Sequence, residues 1–113
     1  MNEGSPYYFH FDQMPFKEKR AGVYLKTITG VKSQLCIIKL KSGTKTNHAH
    51  EEEQMGYILS GTVLLSIGDD IMELGPGDGY YIPRKIQHGF LVSETGDLEY
   101  IEVFCPPKRE NDL

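Results

Sequence analysis

With 113 residues the chain has room for one core, and its 39% apolar and 11% aromatic content is enough to fill it. A net charge of −4 and a pI near 5.5 argue against a nucleic-acid partner, which would want a basic face. No apolar run approaches the roughly 20 residues that span a bilayer, and Met1-Asn2-Glu3-Gly4-Ser5-Pro6 lacks the pattern of a signal peptide, so the expectation is a cytoplasmic protein with no membrane partner.

Residues 1–20 read as an irregular N-terminal arm. Within it Tyr7-Tyr8-Phe9 could add an edge strand, lie across the domain, or cross to a second subunit. After the arm come short β-rich runs parted by Gly, Pro, Asp and Asn, and no stretch has the periodicity of a useful amphipathic helix. The runs are Gly22–Ile28, Gln34–Lys41, Gln54–Leu59, Thr62–Ile67, Ile71–Leu74, Tyr80–Ile82, Gly89–Val92 and Leu98–Phe104. Ser60-Gly61 and Gly68-Asp69 read as hairpin turns and Pro76-Gly77-Asp78 as a further tight turn. Residues 106–113 form a charged tail expected to fray. Cys36 and Cys105 suit a reducing compartment, each as a small buried or half-buried apolar residue, and neither has a neighbouring His or basic activator. The whole reads as all-β, a double-sheet jelly-roll barrel in one domain spanning residues 1–113.

The chemistry concentrates in His48-Ala49-His50-Glu51-Glu52-Glu53-Gln54, answered downstream by His88. Two His two residues apart in extended chain project from the same side, so both imidazoles can bind one ion. Gln54 could add an amide oxygen or only hold a bound water, and His88 a third nitrogen. Glu51, Glu52 and Glu53 read as a solvated turn. Such a site takes one divalent transition metal, Zn, Ni, Fe, Mn or Cu, without choosing among them. Three neutral imidazoles and a neutral amide leave the full +2 charge to attract an anionic ligand. In Glu99-Tyr100-Ile101-Glu102-Val103-Phe104, alternation puts Tyr100, Glu102 and Phe104 on one face. That face could look inward, leaving Glu102 as a proton carrier near a cation, or outward, leaving Ile101 and Val103 to the core. Arg84, Lys85 and Arg109 are candidate carboxylate clamps or ordinary surface charges, Arg being the better fork. Tyr57, Tyr80 and Tyr81 could each place a hydroxyl in the pocket or simply pack, and Tyr81 is carried forward with Arg84 and Arg109 as a substrate-binding candidate.

The stretch Gly43–Gly61 resembles the first cupin motif, and Gly77-Asp-Gly-Tyr-Tyr-Ile-Pro83-Arg-Lys-Ile-Gln-His88 resembles the second. Three positions depart from the family pattern: Gln54 replaces a usual Glu ligand, Lys85 a Gly after Pro83, and Val92 an Asn. Gln54-Met-Gly-Tyr-Ile-Leu-Ser-Gly61, His88-Gly89 and Glu102-Val-Phe104-Cys-Pro-Pro are further similar to the KdgF-type cupins of pectin and alginate breakdown. That resemblance implies a metal-dependent step that linearises 4,5-unsaturated uronates to keto forms. It also implies a catalytic carboxylate at the position of Glu102, which is one methylene longer than the family's Asp, with Phe104 retained as a further substrate-binding candidate. The alternatives are a metal-dependent dioxygenase and a non-catalytic module that binds a small ligand. Open barrels of this size tend to cover an edge or an apolar face by pairing, so a homodimer is expected.

Overall fold

The β-branched and aromatic runs all become strands, because alternation along each supplies one face that must be buried. In the computed structural model, which describes residues 5–113, these are β1 (Lys17–Arg20), β2 (Val23–Thr29), β3 (Gln34–Leu40), β4 (Glu53–Ser60), β5 (Val63–Ile67), β6 (Asp70–Leu74), β7 (Gly79–Ile82), β8 (His88–Val92) and β9 (Leu98–Cys105). They form a six-stranded sheet, β1-β2-β3-β9-β4-β7, and a three-stranded sheet, β6-β5-β8, with every pair antiparallel. The two sheets make a jelly-roll barrel. Burial along β3 and β9 alternates strictly, and Leu40, Ile58, Val63, Ile82, Val92 and Leu98 fill the space between the sheets. With no Trp in the chain, the large apolar contact is a stacked Phe90–Tyr100 pair, 5.2 Å between ring centroids.

The turns follow their residues. Gly68-Asp69 is a two-residue hairpin between β5 and β6. Gly75–Asp78 closes on an Asp78 N–H to Gly75 C=O bond of 3.0 Å, with Pro76 second and Gly77 at φ 92°, the conformation that position of a type II turn requires. Ser60-Gly61, expected as a hairpin, instead carries the chain from one sheet to the other, since β4 and β5 do not pair. Gly61 takes φ 87° there, and a side chain would run into the Asp97 carbonyl of the facing turn.

Three expectations need correcting: the wholly irregular arm, the fraying tail and a half-buried Cys105. Tyr7-Tyr8-Phe9 forms no strand and lies exposed. The additional strand is Lys17-Glu-Lys-Arg20, charged throughout, which joins the sheet through backbone pairing with β2. The tail does not fray. Pro107, Lys108 and Asn111 are buried: the Gln34 amide donates to the Lys108 carbonyl (3.2 Å), and Asn111 donates back to the Gln34 amide oxygen (3.3 Å). A buried polar network of this kind holds a segment that has little apolar content of its own. Cys36 is fully buried, whereas Cys105, at the end of β9, is exposed.

Candidate active site

His48 and His50 lie in the connection from β3 to β4, and His88 opens β8. His48 and His88 exchange both backbone hydrogen bonds at 2.9 Å, so an isolated bridge rather than a full strand holds the extended His48–His50 segment against the sheet. The candidate ligand atoms of the three imidazoles all lie within 4.8 Å of one another. His50 Nδ1 donates to the Glu52 carbonyl and His88 Nδ1 to the Ile86 carbonyl, each at 2.9 Å. Those bonds fix the tautomer and leave the Nε2 lone pairs of His50 and His88 buried without a partner. The Glu52 carboxylate, 3.3 Å from His50 Nδ1, adds the outer support usual behind metal-binding imidazoles.

Burial pushes all three imidazoles toward the neutral form. His48 falls to about 4, through burial and then the nearby Lys108 ammonium, and burial likewise lowers His50 and His88. Neutral, converging, unpartnered nitrogens are what a divalent ion needs, so the residues fit a metal centre. Gln54 lines the inner pocket with His48. Its Nε2 donates to Glu102 Oε2 at 2.5 Å, and its Oε1 is buried without a partner. The Glu102 carboxylate has already engaged the amide's N–H end, so the oxygen end is free to face a cation.

Glu102 projects inward with Tyr100 and Phe104 and is 3% exposed. The Tyr80 hydroxyl donates to the same Oε2 that Gln54 holds. Burial lifts the carboxyl to about 7, while the two donors and then the Lys108 and Lys19 ammonium groups hold it from rising further. Tyr80 reaches it from two strands away. Tyr80, Gly56 and Glu102 sit opposite one another across β7, β4 and β9, a span of about 10 Å. Only a glycine at the middle position lets the ring lie across β4, because a Cβ at Gly56 would overlap the Tyr80 ring.

A cavity of about 730 Å³ opens outside the imidazoles, lined by His48, His50, Glu52, Lys108 and Arg109 among others. Of the substrate-binding candidates, Phe104 is buried 6.0 Å from the His50 ring centroid, and Arg109 reaches the cavity while pairing with Asp112 at 3.4 Å. The other two candidates turn away. Tyr81 points outward to the Glu53 carboxylate (3.1 Å), because its neighbour Tyr80 takes the inward face. Arg84 donates to the Glu51 carbonyl and carboxylate, both at 3.1 Å, outside the cavity lining. Tyr57 is also outward. Sequence reasoning did not single out Gly56, Lys108 or Lys19. The Lys19 ammonium donates to Glu110 (2.9 Å) and Asn111 (2.7 Å), and Lys108 also pairs with Glu110 (2.7 Å), which pins the tail over the site. No local pattern marks these groups, since their contacts join the two ends of the chain.

Known proteins share this architecture. KdgF from Halomonas sp. superposes with a TM-score of 0.84 at 24% identity, over 92% of this chain and 98% of that one. An RmlC-like cupin from Shewanella frigidimarina NCIMB 400 gives a TM-score of 0.86 at 19% identity, over 95% of this chain and 96% of that one. An uncharacterized protein of Streptomyces coelicolor is 26% identical over 89 residues, covering 77% of this chain and 83% of the relative. Residues 36–104, from the middle of β3 through Phe104 of β9, match the Cupin domain family, and with the imidazole cluster set on that barrel the chain belongs to the cupins.

Proposed function

We propose that this cupin is a metal-dependent enzyme that linearises 4,5-unsaturated uronates, or close relatives of that anionic sugar class, to their keto forms. The observation that carries the reading is Glu102, a buried carboxyl at about 7 that lines one pocket with His48 and Gln54 and is gripped on one oxygen by Gln54 and Tyr80. His48, His50, His88 and the Gln54 oxygen would hold the ion, which when bound supplies Lewis acidity and positive charge.

The proposed reaction is an isomerisation and needs no co-reactant. The C1 hydroxyl gives up its proton to Glu102, the C1–O5 bond opens to an aldehyde and an enolate, and that proton is delivered to C4 as C5 becomes a ketone. Glu102 suits both transfers. A carboxyl near 7 is divided between its two forms at neutral pH, so it can accept a proton from oxygen and return it to carbon. Both donors act on Oε2, which leaves Oε1 for the substrate. Phe104 walls the pocket beside His50, and Lys108 beside Phe104 adds a positive charge toward an anionic substrate.

The test follows loss of a 4,5-unsaturated monouronate by NMR with metal-loaded and chelated protein. Metal-dependent acceleration over spontaneous ring opening, abolished in Glu102→Ala, is expected. No acceleration by fully loaded protein would sink the assignment.

A further inference from the structure

A bulge in β1 puts two consecutive cations on the pocket side of the sheet, Lys19 half-buried and Arg20 solvent-exposed at the pocket's edge. Glu18 pairs with Tyr24 and Arg20 with Val23, so Lys19 is an extra residue with no partner on β2. Regular alternation would put Arg20 on the outward face with Glu18. The bulge breaks that alternation, as bulges beside functional sites do, and sets Arg20 opposite the buried Val23. Lys19 and Arg20 both line the inner pocket that contains His48, Gln54 and Glu102.

The two cations differ in what they are free to do. Lys19 is committed to Glu110 and Asn111. Around the outer cavity, Lys108 is held by Glu110 and Arg109 by Asp112. Among the described residues Arg20 has no acidic partner and no side-chain hydrogen bond, and it borders both the outer cavity and the inner pocket. Lys45 is also unpaired but lines only the outer cavity and the sheet surface beyond it. An unpaired guanidinium presents a planar fork of donors matched to a carboxylate, which an ammonium cannot offer.

We propose that Arg20, aimed by the bulge in β1, is the residue that grips the substrate's carboxylate, so the site selects small carboxylate-bearing sugars over neutral ones. The substrate class rests on the function proposed above; the anion site itself does not. The test is binding of D-galacturonate, a saturated uronate that cannot react, against D-galactose, measured calorimetrically on zinc-loaded and chelated wild type, Arg20→Gln and Arg20→Lys. Wild type should prefer galacturonate by about 10- to 100-fold, the range lost with a hydrogen-bonded charged contact. Arg20→Gln should erase that preference with the zinc content and melting temperature unchanged. Arg20→Lys, which keeps the charge without the fork, should fall between and covers the case of a poorly folding Gln variant. Galacturonate binding unaffected in both variants, no preference in wild type, or a preference that chelation alone removes would overturn the assignment. An Arg20-dependent preference in a protein that leaves unsaturated uronates unchanged would uphold the anion site and reject the reaction.

Discussion

Gly56→Ala tests the inner construction of the site at its tightest point. The new methyl would overlap the Tyr80 ring where it crosses β4, so the ring has to swing off Glu102 or the strands have to part. Overpacking of this kind costs about 1–3 kcal/mol. Losing the Tyr80 hydroxyl from a buried carboxylate costs about 1.5–3 kcal/mol more. Together, about 2.5–6 kcal/mol is a large part of the stability of a domain this size. Urea denaturation should show a midpoint lowered without a change in slope. Tyr80→Phe separates the two contributions, since it removes the hydroxyl and leaves the ring, and should lose only about 1.5–3 kcal/mol. Both variants should raise the Glu102 carboxyl above about 7, read by its ¹³C shift, because each removes the donor that most opposes burial. If Gly56→Ala unfolds within about 0.5 kcal/mol of wild type and Glu102 titrates unchanged, Tyr80 does not lie where this account needs it.

Three further outcomes are expected. In chelated protein, wild type should lose stability relative to Glu102→Gln as pH rises from 4.5 through about 7, by about 3 kcal/mol. The folded carboxyl is raised, so its stability is full below the unfolded value and is lost as ionisation is forced on the buried group; equal slopes for the two proteins would contradict this. Lys85 holds φ 67°, a left-handed conformation that strains a side-chain-bearing residue, so Lys85→Gly should raise stability by about 0.5–1 kcal/mol, and a lower melting temperature would count against it. Zinc should raise the melting temperature of wild type, by about 2.7 kcal/mol of stabilisation at a hundredfold excess over Kd, but not that of His88→Ala; equal rises would place the ion elsewhere.

How much could be read in advance depended on distance along the chain. His48, His50 and Gln54 lie within one short segment, so their spacing alone suggested a common target, and His88 followed from its place after Pro83. Alternation put Glu102 with Tyr100 and Phe104, yet the direction of that face required the pairing of β9 between β3 and β4. Between the adjacent Tyr80 and Tyr81 the sequence offers no distinction. The register with β4 decides it, setting Tyr80 opposite Gly56 and turning Tyr81 to Glu53. Lys-Glu-Lys-Arg carries no apolar signal, so both β1 and the bulge that sets Arg20 at the pocket's edge were hidden. Arg84, close to the second motif in sequence, was captured by Glu51 instead.

Glu102 is proposed to carry a proton to carbon, and deuterium reports that transfer. A 4,5-unsaturated monouronate would be converted in D₂O by metal-loaded protein and the C4 position of the product read by ¹H NMR. Delivery from one fixed carboxyl gives a single diastereomer at C4, formed faster than the spontaneous product and lost in Glu102→Gln. Equal amounts of both diastereomers from accelerated wild-type turnover, or a single one still formed at full rate by Glu102→Gln, would contradict it.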